Sequence, residues 1–469
     1  MVTATTTTQT KAEAVMSNAE LNRKLDLLLQ TGCLLLESHA DTERVLRNMR
    51  RTAIYLGLPL ANLHLSVNYD IIMANLSDES HSFTKFRHCT KHSVDLWAIR
   101  MVSKLTWRAI KEDYTPDQYE EELEKIRSHK RNYTPWQVAI CGGFACGGFC
   151  IQFGCDWTAF FYAAIAAILG FRLKMWFGEK GMNTYVGIAI SAFVSTLLAW
   201  LFMLISMHTT IPILHSSTPY HPFMACALYI VPGVPLINFV SDMVSNHVNV
   251  GITRAVITLM IVLAMAFGIV FAIKVCGVDN FVTDLSMTPH HNYIEYSVAA
   301  AISAMGFSTI FNCPRRLLPV VAIGGIIAVC TRNLVSLGPS TNNFGLDMGA
   351  VIGSFVGSAL ISLLCTKLMH IFHTPHQTIS IPSVIPMIPG VLMYRALFAF
   401  IDIHGVVGEL TVAMTNLINA SLIILFISLG VAIPNIFVRR LIQPKRDRKL
   451  LLLLEERSNN RRSIVEGVK

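Results

Sequence analysis

With 469 residues, 53% of them hydrophobic and only 14% charged, and a mean hydropathy of +0.50, the chain is too apolar for an assembly of ordinary soluble domains. Its formal net charge of +8 comes from basic residues beside apolar blocks and from a C-terminal run of Arg439, Arg440, Lys445, Arg446, Arg448 and Lys449. That is the distribution of a positive-inside membrane protein, not of a nucleic-acid binder.

In chain order, residues 1–16 are Thr- and Ala-rich with no apolar centre, which predicts a disordered N-terminus and no cleavable signal peptide. Residues 17–130 carry charges every few positions and predict a soluble α+β domain. Leu21, Leu25, Leu28, Leu29, Leu35 and Leu36 mark an amphipathic helix with one apolar face. Leu63 to Leu76, interrupted by Asn68-Tyr69-Asp70, predicts a hairpin, and Val94, Trp97, Ala98, Met101, Val102, Leu105 and Ala109 recur at helical spacing.

From Trp136 onward, apolar blocks of spanning length predict ten transmembrane helices, near 137–154, 157–171, 184–206, 223–240, 254–275, 293–311, 317–334, 346–367, 379–401 and 408–437. They fall into two membrane repeats, 136–275 and 293–437, followed by a basic tail, 438–469. Lys125 to Arg131, Arg172, Lys174, Lys180, Arg254, Arg315, Arg316, Lys367 and the tail are predicted on one side, which makes both termini cytoplasmic. Eleven cysteines, an odd number, give no disulfide framework. Cys141, Cys146, Cys150 and Cys155 lack the paired spacing of a zinc site.

A displacement of 157 residues aligns Pro232-Gly233-Val234 with Pro389-Gly390-Val391, and His247, Val250 and Gly251 with His404, Val407 and Gly408. With one further residue, Gly148, Phe149 and Cys155 align with Gly306, Phe307 and Cys313. Five spans per copy is an odd number, so two such copies enter the membrane in opposite senses, giving a 5+5 inverted repeat of the kind that relates inward- and outward-open transporters.

Both aligned spans are broken by proline, at Pro232 and Pro235 and at Pro382, Pro386 and Pro389. Proline removes an amide donor and clashes with the preceding turn, and unwound backbone at membrane depth is tolerated where it lines a cavity. The candidate substrate-binding groups are therefore Pro232, Gly233, Asn238, Asp242, Pro389, Gly390 and Arg395. Arg395 offers a planar fork to a carboxylate, and Asp242 offers a partner to an ammonium group or a proton relay; the alternative for Asp242 and Arg254 is snorkelling at the cytoplasmic end. Glu295 and Asp347 read as interfacial, with proton coupling as the alternative. His370, His373 and His376 fall in a loop and do not predict a metal site, the glycines of the first span and Gly324-Gly325 predict close helix packing, and no GxxxxGK[ST] loop is present to hold ATP. No cofactor is predicted.

The segment Thr31-Gly32 through Leu36, continuing Ser38-His39-Ala40-Asp41-Thr42-Glu43-Arg44-Val45, resembles the opening motif of the bacterial threonine/serine exporters. Asp41 stands where that family has Glu, and His39 where it has a small residue. Pro232-Gly233, Asn238, Asp242, Gly251 and Arg254, then Pro389-Gly390 with Tyr394-Arg395, are similar to its two halves. The resemblance implies a fused two-half exporter of the inner membrane with a cytoplasmic N-terminal domain, releasing threonine and serine at the expense of the proton motive force. Beside the substrate and a coupling proton, the partners to expect of such a chain are membrane lipids, with a second copy of the chain as an open option. The alternatives are a dicarboxylate (succinate) exporter, since split relatives are linked to that export, and a membrane-anchored enzyme or sensor. For an enzyme, Ser38, His39 and Asp41 read as helix surface without triad spacing.

Overall fold

The structure is a computed structural model that describes residues 18–77, 81–278, 291–339, 344–401 and 410–434, with single positions at 408, 437 and 452. The predicted N-terminal tail, His404, Val407 and the basic C-terminal run lie outside the described residues.

The segment predicted to be a soluble domain comprises α1 (Asn18–Glu37), α2 (Thr42–Tyr55), β1 (Leu63–Val67), β2 (Ile71–Ser77), β3 (Ser82–His88), α3 (Leu96–Lys111) and α4 (Pro116–Arg127). The predicted hairpin is present, with Leu63 opposite Leu76 and Val67 opposite Ile72. A third antiparallel strand extends it, Ile71 pairing with His88 and Ser77 with Ser82. Sequence reading missed β3 because its inward residues are only half-buried and the other face is exposed, so its alternation carries little apolar contrast.

α1 departs from the predicted single apolar face. Leu25, Leu27, Leu28 and Leu29 are all buried, because α2, α3, α4 and the sheet surround this helix. Gly32 lets α2 approach: a Cβ there would lie 2.6 Å from Met49 Sδ. Beside it, the Thr31 hydroxyl meets the buried Tyr119 hydroxyl at 2.9 Å, and Thr52 meets the same group at 3.1 Å, so the domain core contains a satisfied polar network.

The membrane part contains α5 (Pro135–Gln152), α6 (Trp157–Glu179), α7 (Thr184–His208), α8 (Pro222–Ala225), α9 (Gly233–Val244), α10 (Val248–Val275), α11 (Tyr293–Ile310), α12 (Leu318–Ser336), α13 (Ala350–Phe372), α14 (His376–Val384) and α15 (Gly390–Ile401), followed by α16 (Leu410–Pro434). Among the described residues, six helices are long and apolar enough to cross a membrane: Trp157–Glu179, Thr184–His208, Val248–Val275, Arg315–Ser336, Ala350–Met369 and Leu410–Pro434. α5 and α11 are 18 residues each and pack on one another and on their neighbours through small residues. Gly143 and Gly147 admit α6, and Gly324 and Gly325 admit α14 and α11, the close packing predicted for these glycines.

α6 runs eight residues beyond its predicted end, so Arg172 and Lys174 are helical instead of in a loop. The Arg172 guanidinium lies over the Trp136 ring and the Lys174 ammonium over the Phe171 ring, contacts that an aromatic face offers a cation. Trp136, Trp157 and Trp176 are exposed at helix ends. His376 is not in a loop: it opens α14, buried, between Ser362 and Ser380. Among the described residues, no group of three or more His, Cys, Asp or Glu could hold a metal ion.

Candidate functional site: two crossed helix breaks and a docked loop

The two proline-broken segments have the same local course. A single 3-10 turn covers Leu228–Ile230 in one and Ile385–Met387 in the other. An extended residue follows, Val231 or Ile388, then Pro232 or Pro389, and a new helix begins at Gly233 or Gly390.

The breaks pack against each other reciprocally. A Cβ on Gly233 would lie 2.4 Å from Ile385 Cδ1 and 2.9 Å from Ile388 Cδ1, and one on Gly390 would lie 2.7 Å from Leu228 Cδ2 and 3.4 Å from Val231 Cγ2. Each glycine therefore meets the sequence counterparts of the residues that the other glycine meets. α5 and α11 behave alike: Gly148 faces Ala299 and Ser303, and Gly306 faces Cys141 and Ala145. Phe149 and Phe307 meet edge-on at 5.6 Å. Between the breaks lies a constricted apolar cavity of about 10 Å³, space for about one water. Its lining is four matched pairs: Phe149 and Phe307, Leu228 and Ile385, Val231 and Ile388, Gly233 and Gly390.

Asn238 and Asp242 do not line this cavity. Both are 1% exposed and hold the soluble domain. Asn238 Nδ2 donates to the His39 carbonyl at 2.7 Å, the Thr42 amide donates to Asp242 Oδ1 at 2.9 Å, and Arg254 Nη2 donates to the Ala40 carbonyl at 2.7 Å. Arg254 Nε lies 3.2 Å from Asp242 Oδ2. Arg254 is itself 1% exposed, so the snorkelling alternative fails for both residues: each charge is buried beside the other, as an ion needs once it leaves water.

The docked loop is the segment that carries the family resemblance, and the helix-surface reading of it is corrected here. Ser38 Oγ donates to the Leu34 carbonyl, His39 is left-handed at φ 61, and Asp41 caps α2 by accepting from the Arg44 amide at 2.9 Å. These roles leave no Ser-His-Asp relay. The buried Arg44 side chain reaches both Asp41 Oδ2, at 3.2 Å, and Gln377 Oε1 of α14, at 3.0 Å, so one loop touches both halves of the membrane part. A second contact closes nearby, where Asn312 Nδ2 donates to Asp95 Oδ2 at 2.9 Å and the Leu96 amide to the Phe311 carbonyl at 3.0 Å.

Arg395 lies half-buried on α15, at the position matching Asn238, and lines neither described cavity. Glu295 caps α11 in a reciprocal box with Asn292 and takes a further contact from His291, a structural role. Sequence reading did not identify His39, Thr42, Gln377 or Asn312. The Ser38–Val45 motif was the available signal for the first two, but nothing local says that a loop in the soluble domain docks on residues about 200 positions away.

Comparison with known proteins agrees with this arrangement of parts. Residues 26–276 match the family model described as "Putative threonine/serine exporter", and residues 296–437 match the one described as "Threonine/Serine exporter, ThrE". The chain is 21% identical over 428 residues to the "Threonine/serine exporter" of Corynebacterium glutamicum, covering 90% of this chain and 82% of that protein. It is 21% identical over 385 residues to the "Probable threonine/serine exporter" of Mycobacterium tuberculosis, covering 80% and 70% respectively. It is 24% identical over 256 residues to the "Probable succinate transporter subunit YjjP" of Escherichia coli K12, covering 55% of this chain and 96% of that subunit. No solved structure matches. A membrane protein of long apolar helices with a small mixed domain in front, matched in both halves, this chain belongs to the threonine/serine exporter family.

Proposed function

We propose that the chain is a secondary active exporter of small hydroxyl amino acids, threonine and serine, driven by the proton motive force, and that its membrane part is a 5+5 inverted repeat. The observation that carries the reading is the reciprocal contact of the two helix breaks, in which every residue lining the central constriction has its counterpart across it. A transporter built from two inverted copies alternates access by exchanging their conformations around such a crossing. Pro232, Gly233, Pro389 and Gly390 form the crossing, where unwound backbone offers amides and carbonyls to a zwitterion once the constriction opens.

Arg395 supplies the carboxylate contact from the second copy, and Asn238 and Asp242 guard the cytoplasmic entrance from the first. The soluble domain sits on the cytoplasmic side in this reading. Arg254 and Arg315 both bond to its backbone or to its linker, at Ala40 and Asn132, which groups the basic loops at the end that carries this domain, as the positive-inside rule requires.

Efflux from proteoliposomes loaded with labelled threonine, serine or succinate, with and without an imposed proton gradient, tests the proposal. Threonine and serine efflux that collapses with an uncoupler is the expected result. Succinate efflux alone would move the chain to the activity named for the Escherichia coli subunit.

A further inference from the structure

A second cavity, of about 240 Å³, lies where the soluble domain meets the first membrane half. His39, Tyr69 and His92 close it from the soluble domain, and Tyr185, Arg254 and Thr258 close it from α7 and α10. Its volume is below the roughly 300–1,000 Å³ of drug-sized sites, so it suits a small solute.

The polar atoms around it are unusually unsatisfied. Arg254 and Thr258 are 1% and 2% exposed, yet Arg254 Nη1 and Thr258 Oγ1 make no hydrogen bond within the protein, and Arg254 Nε has only its ion-pair contact with Asp242. Neither does His39 Nδ1 nor His92 Nδ1, and His92 Nε2 has only the Asp70 carboxylate near it, at 3.5 Å. Buried donors and acceptors are normally paired, and a cluster that is not marks a place where a ligand or solvent completes it. These four residues come two from each of two domains, so no single helix's packing explains them.

We propose that this interfacial cavity is the cytoplasmic intake site for the transported amino acid, bound as a zwitterion between the soluble domain and α10. The inference rests on the reading of the chain as an amino-acid exporter and deepens it. Arg254 Nη1 receives the carboxylate, in the charge-assisted geometry that guanidinium favours. The ammonium group donates to the imidazole nitrogens of His39 and His92 and to the Thr258 hydroxyl. Ile257 and Ile261 complete an apolar wall for a short side chain.

Charge selects the class of ligand. Arg254 is already balanced by Asp242 at 3.2 Å, so the cavity has no surplus positive charge to offset a dianion, whereas a net-neutral zwitterion adds none. The site also couples binding to gating, since Arg254 lines the cavity while its Nη2 holds the Ala40 carbonyl. A carboxylate that recruits its guanidinium competes with the contact that keeps the soluble domain seated.

The test is equilibrium binding of labelled threonine to the full-length protein in detergent, with succinate as competitor, alongside threonine efflux from proteoliposomes. Thr258→Ile fills the cavity from the membrane side, and His92→Leu removes both nitrogens from the soluble side. The two variants lie in different domains, so a shared defect reports the cavity between them. Each is expected to weaken threonine binding roughly tenfold, the loss of about one good hydrogen bond, and to slow efflux at low internal threonine while leaving it near normal at saturation. Unchanged binding in both variants, with efflux intact, would overturn the intake site and leave the exporter reading standing. Succinate displacing threonine as well as threonine displaces itself would overturn the zwitterion assignment. A wild-type protein that neither binds nor exports threonine would overturn both.

Discussion

Thr42, at the first turn of α2, donates its amide to the carboxylate of Asp242, buried in the last turn of α9, at 2.9 Å. The start of a helix has amides without intrahelical partners and a partial positive charge, so a carboxylate there is favoured on both counts. α2 thus caps itself with Asp41 and presents its next free amide to Asp242. The contact fastens the soluble domain to α9, the helix that follows the first break.

Removing this carboxylate strands Arg254. Asp242→Asn leaves a buried guanidinium without its counter-charge, a loss of about 3–5 kcal/mol for pairs of this kind. The expected outcome is a lowered melting temperature together with faster proteolysis of the linker near residues 128–134, because the domain loosens. Asn238→Ala, which leaves the His39 carbonyl unpaired, should cost about 1–3 kcal/mol and act in the same direction. A Asp242→Asn protein with wild-type melting and protease resistance would contradict the docking role.

The seated loop should be sensitive to acid. Burial of the ring, with Arg254 and His92 nearby, pushes His39 down to about 3 from its ordinary 6.5. An unfolded or released loop binds a proton near 6.5 that the seated loop refuses. The stability contributed by the seated loop is therefore complete above about 6.5 and declines as pH falls toward 3. His39→Asn keeps a residue that tolerates the left-handed backbone at φ 61 and removes the titrating group. Its melting temperature between pH 7 and pH 5 should fall less than that of wild type; equal slopes would remove His39 from the account.

Arg395→Ala is expected to abolish threonine efflux while the protein still purifies as a folded species, since the proposed role is substrate contact. Arg395→Lys should recover little, because a point charge does not reproduce the two-pronged carboxylate contact of the guanidinium. Normal efflux by purified Arg395→Ala would remove this residue from the site.

Much of the frame was legible before any coordinates. Prolines three or four residues apart inside apolar runs forbid continuous helix, so both breaks could be read directly, and the aligned Pro-Gly pairs identified which breaks correspond. The role of Asp242 was not legible. Its partner is a backbone amide in another domain, and backbone donors leave no trace in composition or spacing. Arg254 misled for a related reason: an arginine at the edge of an apolar block ordinarily reaches water, and only the return of the α1–α2 loop over that edge buries it. α1 was read as one-faced because its leucines cluster, although helices and sheet enclose it on most sides.

The most direct test of the central claim is to wedge the crossing from either side. Gly233→Val and Gly390→Val place branched side chains against Ile385 and Leu228 respectively, at positions where even a Cβ would be within 3 Å of its neighbour. Threonine efflux from proteoliposomes should fall by roughly tenfold or more in each variant. Ile385→Ala should restore activity to Gly233→Val, as Leu228→Ala should to Gly390→Val. Matching losses with matching rescues are what two copies exchanging roles about one crossing predict. Full efflux from both valine variants, or a loss at one glycine only, would contradict it.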